Sequence, residues 1–325
     1  IFTYFTAVLY QLLKAYGKLA MRVFCRRVVV NKPGCLQLRG PVLFAANHPN
    51  SFLDGLILTL LVKGELYSLA RGDAFAAPWA HKLLHWIKLL PVYRTSEGVE
   101  NLTHNYHTFD KCLEAFKQGK QVIIFSEGRC INEWHLRPLK KGTARLALAA
   151  WEQGIPLQVI PLGINYNPFR NFGKNVFLNF GDAIEPSTVL QQPSAGQRLI
   201  SFNEALRTQL QHLVYEIDAK DITTLRKKLC VVQPLWKQVV LAPLALTGAV
   251  LHLPFYFPIK AATEYWFDND HFDSVMVGLT VLSYPFYATT AAIIIGIVWC
   301  TWWGLATALL LPLSAWACVQ LKPQV

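Results

Sequence analysis

The sequence predicts an α/β domain, a sheet flanked by helices, followed by C-terminal transmembrane helices, and three observations predict it. Short aliphatic runs bounded by Gly, Pro or Asn alternate with longer helical patterns through the first two thirds of the 325 residues. Charge is concentrated in the same part: residues 1–236 hold 28 of the 31 Lys and Arg and 16 of the 20 Asp and Glu, a net +12. The remaining 89 residues are almost uncharged, and 238–259 and 274–321 contain no Asp, Glu, Lys or Arg.

Residues 1–30 read as an N-terminal amphipathic helix. It places aromatic and aliphatic side chains on one broad face and ends in cations, which fits a helix lying in the lipid interface. An ordinary buried helix is the other reading open at this point. Lys14 and Lys18 interrupt the apolar run, so a cleavable signal peptide is not expected.

Residues 31–236 read as the main domain. PVLFAAN, QVIIFS, PLQVIPLGINY and NVFLNFG are largely buried strands by their β-branched and aliphatic content. FLDGLILTLLVKG, PWAHKLLHWIKLL, LTHNYHTFDKCLEAFKQG, GTARLALAAWEQG and SFNEALRTQLQHLVYEID are helical. Strands alternating with helices indicate a sheet covered on both faces, with sites gathered where strands end and loops begin.

Residues 237–325 read as a membrane domain of about three spans. A spanning helix needs about 20 apolar residues, because the hydrocarbon layer is about 30 Å thick. Segment 239–259 meets this once and 274–321 is long enough to meet it twice, with the turn expected near Gly296. Pro254 and Pro258 leave open a broken, re-entrant first segment. The run RKKLCVVQPLWK, 226–237, is basic, whereas 260–273 carries Glu264, Asp268, Asp270 and Asp273 against one Lys. By the retention of cations on the cytoplasmic side, the protein is expected to be integral to a membrane with its main domain facing the cytoplasm.

Several function classes fit poorly. The seven cysteines are scattered and never form C-x-x-C, so neither a disulfide framework nor a zinc cage is expected. His81 and His85 share a helical face but lack the glutamate of H-E-x-x-H and read as ordinary helix residues, as do His104 and His107; no metal is expected. Ser126 lacks the G-x-S-x-G elbow of serine hydrolases. Nucleic acid is not an expected partner, since no recognition signature accompanies the basic charge; beside the expected spans, anionic membrane lipids explain it better. A transporter is weakly supported, because the spans contain no ionisable residue except His252.

The stretch AANHPNSFLDG, 45–55, carries the chemistry. Pro49 biases His48 away from helical geometry, which places the imidazole in a strand-to-helix loop. Two readings of Asp54 are open. Ser51 and Asp54 form S-x-x-D, a capping box in which Asp54 reaches back to the cap amide. Alternatively Asp54 bonds one nitrogen of His48 and leaves the other free as a general base toward a substrate hydroxyl.

The stretch NHPNSFLD resembles the first signature of the glycerolipid acyltransferase family. LPVYR (90–94), IFSEGRC (124–130) and VIPLGINY (159–166) resemble its second, third (F-P-E-G-T-R) and fourth blocks, in the family's order. The likeness covers roughly residues 40–170. Five residues separate His48 from Asp54 where the family usually has four, so one must bulge for the pair to meet. Ser126 replaces the usual Pro, and Arg129 follows Gly128 directly.

The resemblance implies an acyltransferase that moves a fatty chain from acyl-CoA or acyl carrier protein, as co-substrate with no further cofactor, to a lysophospholipid such as 1-acylglycerol 3-phosphate. It implies His48 and Asp54 as the catalytic pair, and Arg94, Glu127, Gly128, Arg129 and Lys140 around the substrate. Arg and Lys suit a phosphate, whereas for Lys141 a solvated basic face is the expectation. Glu127 is expected to pair with Arg129, with a glycerol hydroxyl as the other partner open to it. Pro161 is open between strand-end geometry and an acyl-donor pocket. A catalytically silent lipid-binding membrane scaffold with the same fold is the alternative function.

Overall fold

The computed structural model describes residues 2–93 and 102–324. The chain divides into two compact units: Ile1–Leu12 with Val30–Asn165 and Phe177–Asp218, and Leu13–Val29 with Tyr166–Val176 and Ala219–Val325. This division differs from the expected 1–30, 31–236 and 237–325, because two earlier stretches of sequence pack with the C-terminal helices.

Among the described residues seven strands, β1 (Cys25–Val30), β2 (Val42–Ala46), β3 (Leu66–Arg71), β4 (Leu89–Val92), β5 (Gln121–Phe125), β6 (Gln158–Asn167) and β7 (Lys174–Phe180), follow the order β1-β7-β6-β2-β5-β3-β4. The four expected strands are β2, β5, β6 and β7. Strand β2 pairs in parallel with both β5 and β6, and β3 pairs in parallel with β4 and β5. The connecting helices are α1 (Phe2–Phe24), α2 (Phe52–Leu61), α3 (Pro78–Trp86), α4 (Leu102–Lys117), α5 (Gly142–Glu152), α6 (Pro186–Leu190), α7 (Ala195–Leu213) and α8 (Ile222–Leu229). Helix α1 stops at Phe24, so the last six residues of the expected N-terminal helix are strand β1.

Alternation along the strands sorts side chains to the two faces of the sheet. Leu43, Ala45, Val122, Ile124 and Val159 share one buried cluster with Cys112 and Phe116 of α4, Ala144, Ala147 and Trp151 of α5, and Phe202 and Leu206 of α7. Burying each large apolar side chain stabilises the fold by about 1.5–3 kcal/mol. Phe125 alternates to the other face, where α2 lies: a Cβ on Gly55 would stand 3.1 Å from Ser68 Oγ and 3.8 Å from Phe125 Cζ.

The second unit contains three helices long and apolar enough to cross a membrane, α9 (Leu235–Trp266), α10 (Phe272–Val298) and α11 (Thr301–Leu321). Helix α9 runs unbroken through Pro243, Pro254 and Pro258, so the re-entrant alternative is not realised. The α10–α11 turn at Trp299 and Cys300 falls close to the expected Gly296. Backbones approach closely at small residues, as membrane helices require. A Cβ on Gly304 would stand 2.6 Å from Ala292 O, and one on Gly248 2.5 Å from Ser314 O. His252 bonds Gly248 O at 2.7 Å and Tyr284 Oη at 3.0 Å, which holds α9 to α10. In the same unit the Arg26 guanidinium donates to Gln320 O and Val319 O, satisfying the last carbonyls of α11. Lys174, fully buried, pairs with Asp273 at 2.6 Å.

Candidate active site

The site follows from topology in the first unit. Strand β2 leads through α2 to β3, beyond β5, while β5 leads through α5 to β6, on the far side of β2. Neighbouring parallel strands whose connections depart in opposite directions leave a crevice at their carboxyl ends. The two ends are level, since Ala46 pairs with Phe125. The segments leaving them are 47–54 and 126–141, and His48, Asp54, Glu127, Gly128, Arg129 and Lys140 each lie in one or the other.

His48 is held from four sides. Its backbone N–H donates to Glu127 Oε2 at 2.7 Å, and its carbonyl accepts from the Ile131 N–H at 3.2 Å. Its ring stacks on Phe125, with centroids 3.9 Å apart and planes 9° from parallel. Nδ1 lies 2.8 Å from Asp54 Oδ2, which also accepts from the Asn50 N–H at 2.9 Å. An ionised carboxylate only accepts, so the contact assigns the proton to Nδ1 and leaves the Nε2 lone pair free. The Asp54 side chain is inaccessible and that of His48 is 16% exposed, so a deeply buried carboxylate orients an imidazole that is open to solvent.

The capping-box reading of Asp54 is therefore corrected. Ser51 is the N-cap of α2, but its side chain makes no capping hydrogen bond, and Asp54 is drawn to His48 and the Asn50 amide instead. The spacing requires one residue to bulge between His48 and Asp54 without saying which; the backbone departs there at Ser51, which takes φ 52° and ψ −136°, a region that L-residues avoid.

Glu127 has a different job from the one expected. Oε1 accepts the Arg137 N–H at 2.8 Å while Oε2 accepts that of His48, so the carboxylate ties two loops together. Burial raises its pKa, opposed by the two backbone N–H groups that favour the charged form. The expected pairing with Arg129 is not formed: both carboxylate oxygens face backbone N–H groups, and Gly128, at φ +69°, turns the chain. Arg129 is exposed and makes no ion pair among the described residues. Lys140 is also exposed and passes beside Gly128, where a Cβ would come within 3.1 Å of its Cγ. Lys141 is an exposed N-cap of α5, Pro161 is a buried mid-strand residue of β6, and Arg94 lies outside the described residues. His81 and His85 stack on α3 at 4.3 Å, away from the two loops.

Several residues that shape the site escaped sequence reasoning. Asn47 extends the β2–β6 pairing with its side chain, exchanging bonds of 3.0 and 2.7 Å with the Ile164 backbone. Asn132 Nδ2 donates to Pro49 O at 2.8 Å, and Cys130 Sγ accepts the Ser51 N–H at 2.9 Å. The available signal was a polar cluster, N-H-P-N, directly after a wholly apolar strand.

Residues 27–165 match the protein family described as Acyltransferase. This segment is similar to that family. It contains both loops of the candidate site, and the glycerolipid-type resemblance of the four blocks agrees with it. The chain is similar to the 1-acyl-sn-glycerol-3-phosphate acyltransferase BAT2, chloroplastic, of Brassica napus, 26% identical over 159 residues, which are 49% of this chain and 42% of that protein. The chain thus spans well under half the length of this curated relative. Among solved structures it is similar to the 1-acyl-sn-glycerophosphate (LPA) acyltransferase PlsC from Thermotoga maritima, with TM-score 0.42 and 15% identity, covering 64% of this chain and 81% of that one.

Proposed function

We propose that the chain is a membrane-bound O-acyltransferase of phospholipid biosynthesis. It moves a fatty acyl chain from an acyl thioester to a hydroxyl of a lysophospholipid, with 1-acylglycerol 3-phosphate as the preferred acceptor. The observation that carries this reading is the 2.8 Å contact between His48 Nδ1 and Asp54 Oδ2 inside the segment that matches the Acyltransferase family. The Brassica relative, named as a 1-acyl-sn-glycerol-3-phosphate acyltransferase, supports the acceptor class.

In the proposed reaction His48 Nε2 takes the proton of the acceptor hydroxyl as its oxygen bonds to the thioester carbonyl carbon. Asp54 stabilises the imidazolium that forms, as in hydrolase triads. The tetrahedral oxyanion collapses, the C–S bond breaks, and the thiolate leaves and recovers the proton. Arg129, Lys140 and Arg94 receive the phosphate of the acceptor, Arg with a planar fork and Lys with a point charge. Glu127 and Gly128 form the turn that presents Arg129. Helices α9, α10 and α11 hold the chain in the bilayer, and the basic run 226–237 set against the acidic loop 260–273 supports a cytoplasmic catalytic domain.

Detergent-solubilised protein incubated with acyl-CoA or acyl carrier protein and a panel of lyso-acceptors tests the reading. Thiol release that depends on lysophosphatidate is expected. Lipid binding without thiol release would replace the enzyme with the silent scaffold.

A further inference from the structure

We propose that Phe125 is a positioning residue for the His48 imidazole, a flat apolar shelf that fixes the ring plane while Asp54 fixes its direction within that plane. The inference rests on the reading of His48 as the base and adds a determinant to the same site.

Backbone register creates the shelf. Phe125 is the last residue of β5 and pairs with Ala46, the last residue of β2, so its side chain emerges beside the chain that carries His48 two positions later. The rings meet at 3.9 Å with 9° between their planes, which is van der Waals contact over a whole face. Behind Phe125, α2 presents Gly55, where a Cβ would lie 3.8 Å from Phe125 Cζ. That is ordinary van der Waals distance, so the ring tip lies against α2 at Gly55, which directly follows Asp54. Shelf and carboxylate are thus braced by the same turn of α2.

The need for a shelf follows from what remains free. Glu127 and Ile131 hold the N–H and C=O of His48, so its Cα is fixed and only the two side-chain torsions can vary. The second torsion of histidine is broad, and a single bond at Nδ1 leaves the ring able to swing about it. Contact over one face removes that freedom, so Nε2 keeps one direction. A phenyl face neither donates nor accepts strongly, so it competes neither with Asp54 for Nδ1 nor with the substrate for Nε2. A carboxylate lying where the ring face lies would compete with both.

Three measurements on the full chain in detergent test this. In the wild type, the ring current of Phe125 should move the His48 ring-proton resonances upfield, and their absence from that position would overturn the proposal without any variant. Phe125→Leu keeps an apolar side chain but removes the face. It should lower kcat for thiol release by about 10- to 100-fold, the size expected for a misplaced catalytic group, with KM for both substrates unchanged. Phe125→Tyr keeps the face and should restore kcat. Wild-type kcat in Phe125→Leu, or equal losses in both variants, would overturn it. Full turnover in His48→Ala sinks the base assignment, whereas an inactive His48→Ala beside a fully active Phe125→Leu sinks the shelf alone.

Discussion

Asp54 Oδ2 lies 2.8 Å from His48 Nδ1 and 2.9 Å from the Asn50 amide, so one buried oxygen orients both the imidazole and the loop that carries it. Asp54→Asn keeps the shape but offers a donor in place of a charged acceptor, favouring the wrong imidazole tautomer. Turnover should fall by about 10³- to 10⁴-fold, as in a hydrolase triad, with circular dichroism unchanged. Thiol release under saturating donor and acceptor checks this.

Glu127 links stability to pH. Burial raises its pKa above the ordinary 4.5 despite the N–H groups of Arg137 and His48. A carboxyl group whose folded pKa is raised stabilises fully below the unfolded value and loses that contribution as pH rises through the folded one. The stability of the wild type relative to Glu127→Gln should therefore be greatest at and below pH 4.5 and diminish as pH rises. At neutral pH the variant should still be less stable by about 1–3 kcal/mol, because its amide cannot accept at both ends. Melting in detergent across pH reads both effects.

Ser51 stores backbone strain at φ 52° and ψ −136°. Glycine enters that region without penalty, so Ser51→Gly should raise stability by about 1 kcal/mol and Ser51→Val should lower it by at least as much. Denaturant titration of the two variants measures the difference.

Much of this arrangement was legible before any coordinates, and the misses have identifiable causes. Strands β2, β5, β6 and β7 announce themselves as largely apolar runs bounded by Gly, Pro or Asn. Strand β1 is hidden because CRRVVV follows α1 with no Gly or Pro between them, and β4 because LLPV is four residues long and contains a proline. The His48–Asp54 pair was readable from residue types, but its choice over a capping box depends on φ at Ser51. Glu127 was misjudged because sequence displays its charge and hides the backbone amides that claim it. The Phe125 stack depends on register between two strands about 80 residues apart, which no local pattern records.

Close backbone approach among the membrane helices gives another prediction. A side chain at Gly248 would meet Ser314 O, on α11, at 2.5 Å. Gly248→Leu should push α9 and α11 apart, lowering the detergent melting temperature and the yield of folded protein, whereas Leu251→Ala, at an exposed position of the same helix, should do neither.

Arg129 is exposed, unpaired among the described residues and next to Lys140 across Gly128. If it receives the acceptor phosphate, Arg129→Ala should raise KM for lysophosphatidate by about tenfold or more, the loss of a charge-assisted bidentate contact, while KM for the acyl donor stays constant. Arg129→Lys should recover only part of the loss. Equal changes in both KM values would place the arginine elsewhere in the reaction.

The central claim is that the free nitrogen of His48 removes the proton from the acceptor hydroxyl. The most direct measurement is thiol release from acyl-CoA or acyl carrier protein, in the presence of lysophosphatidate, by the His48→Ala variant whose melting temperature matches the wild type. Turnover should disappear while both substrates still bind. Undiminished turnover in that folded variant would contradict it.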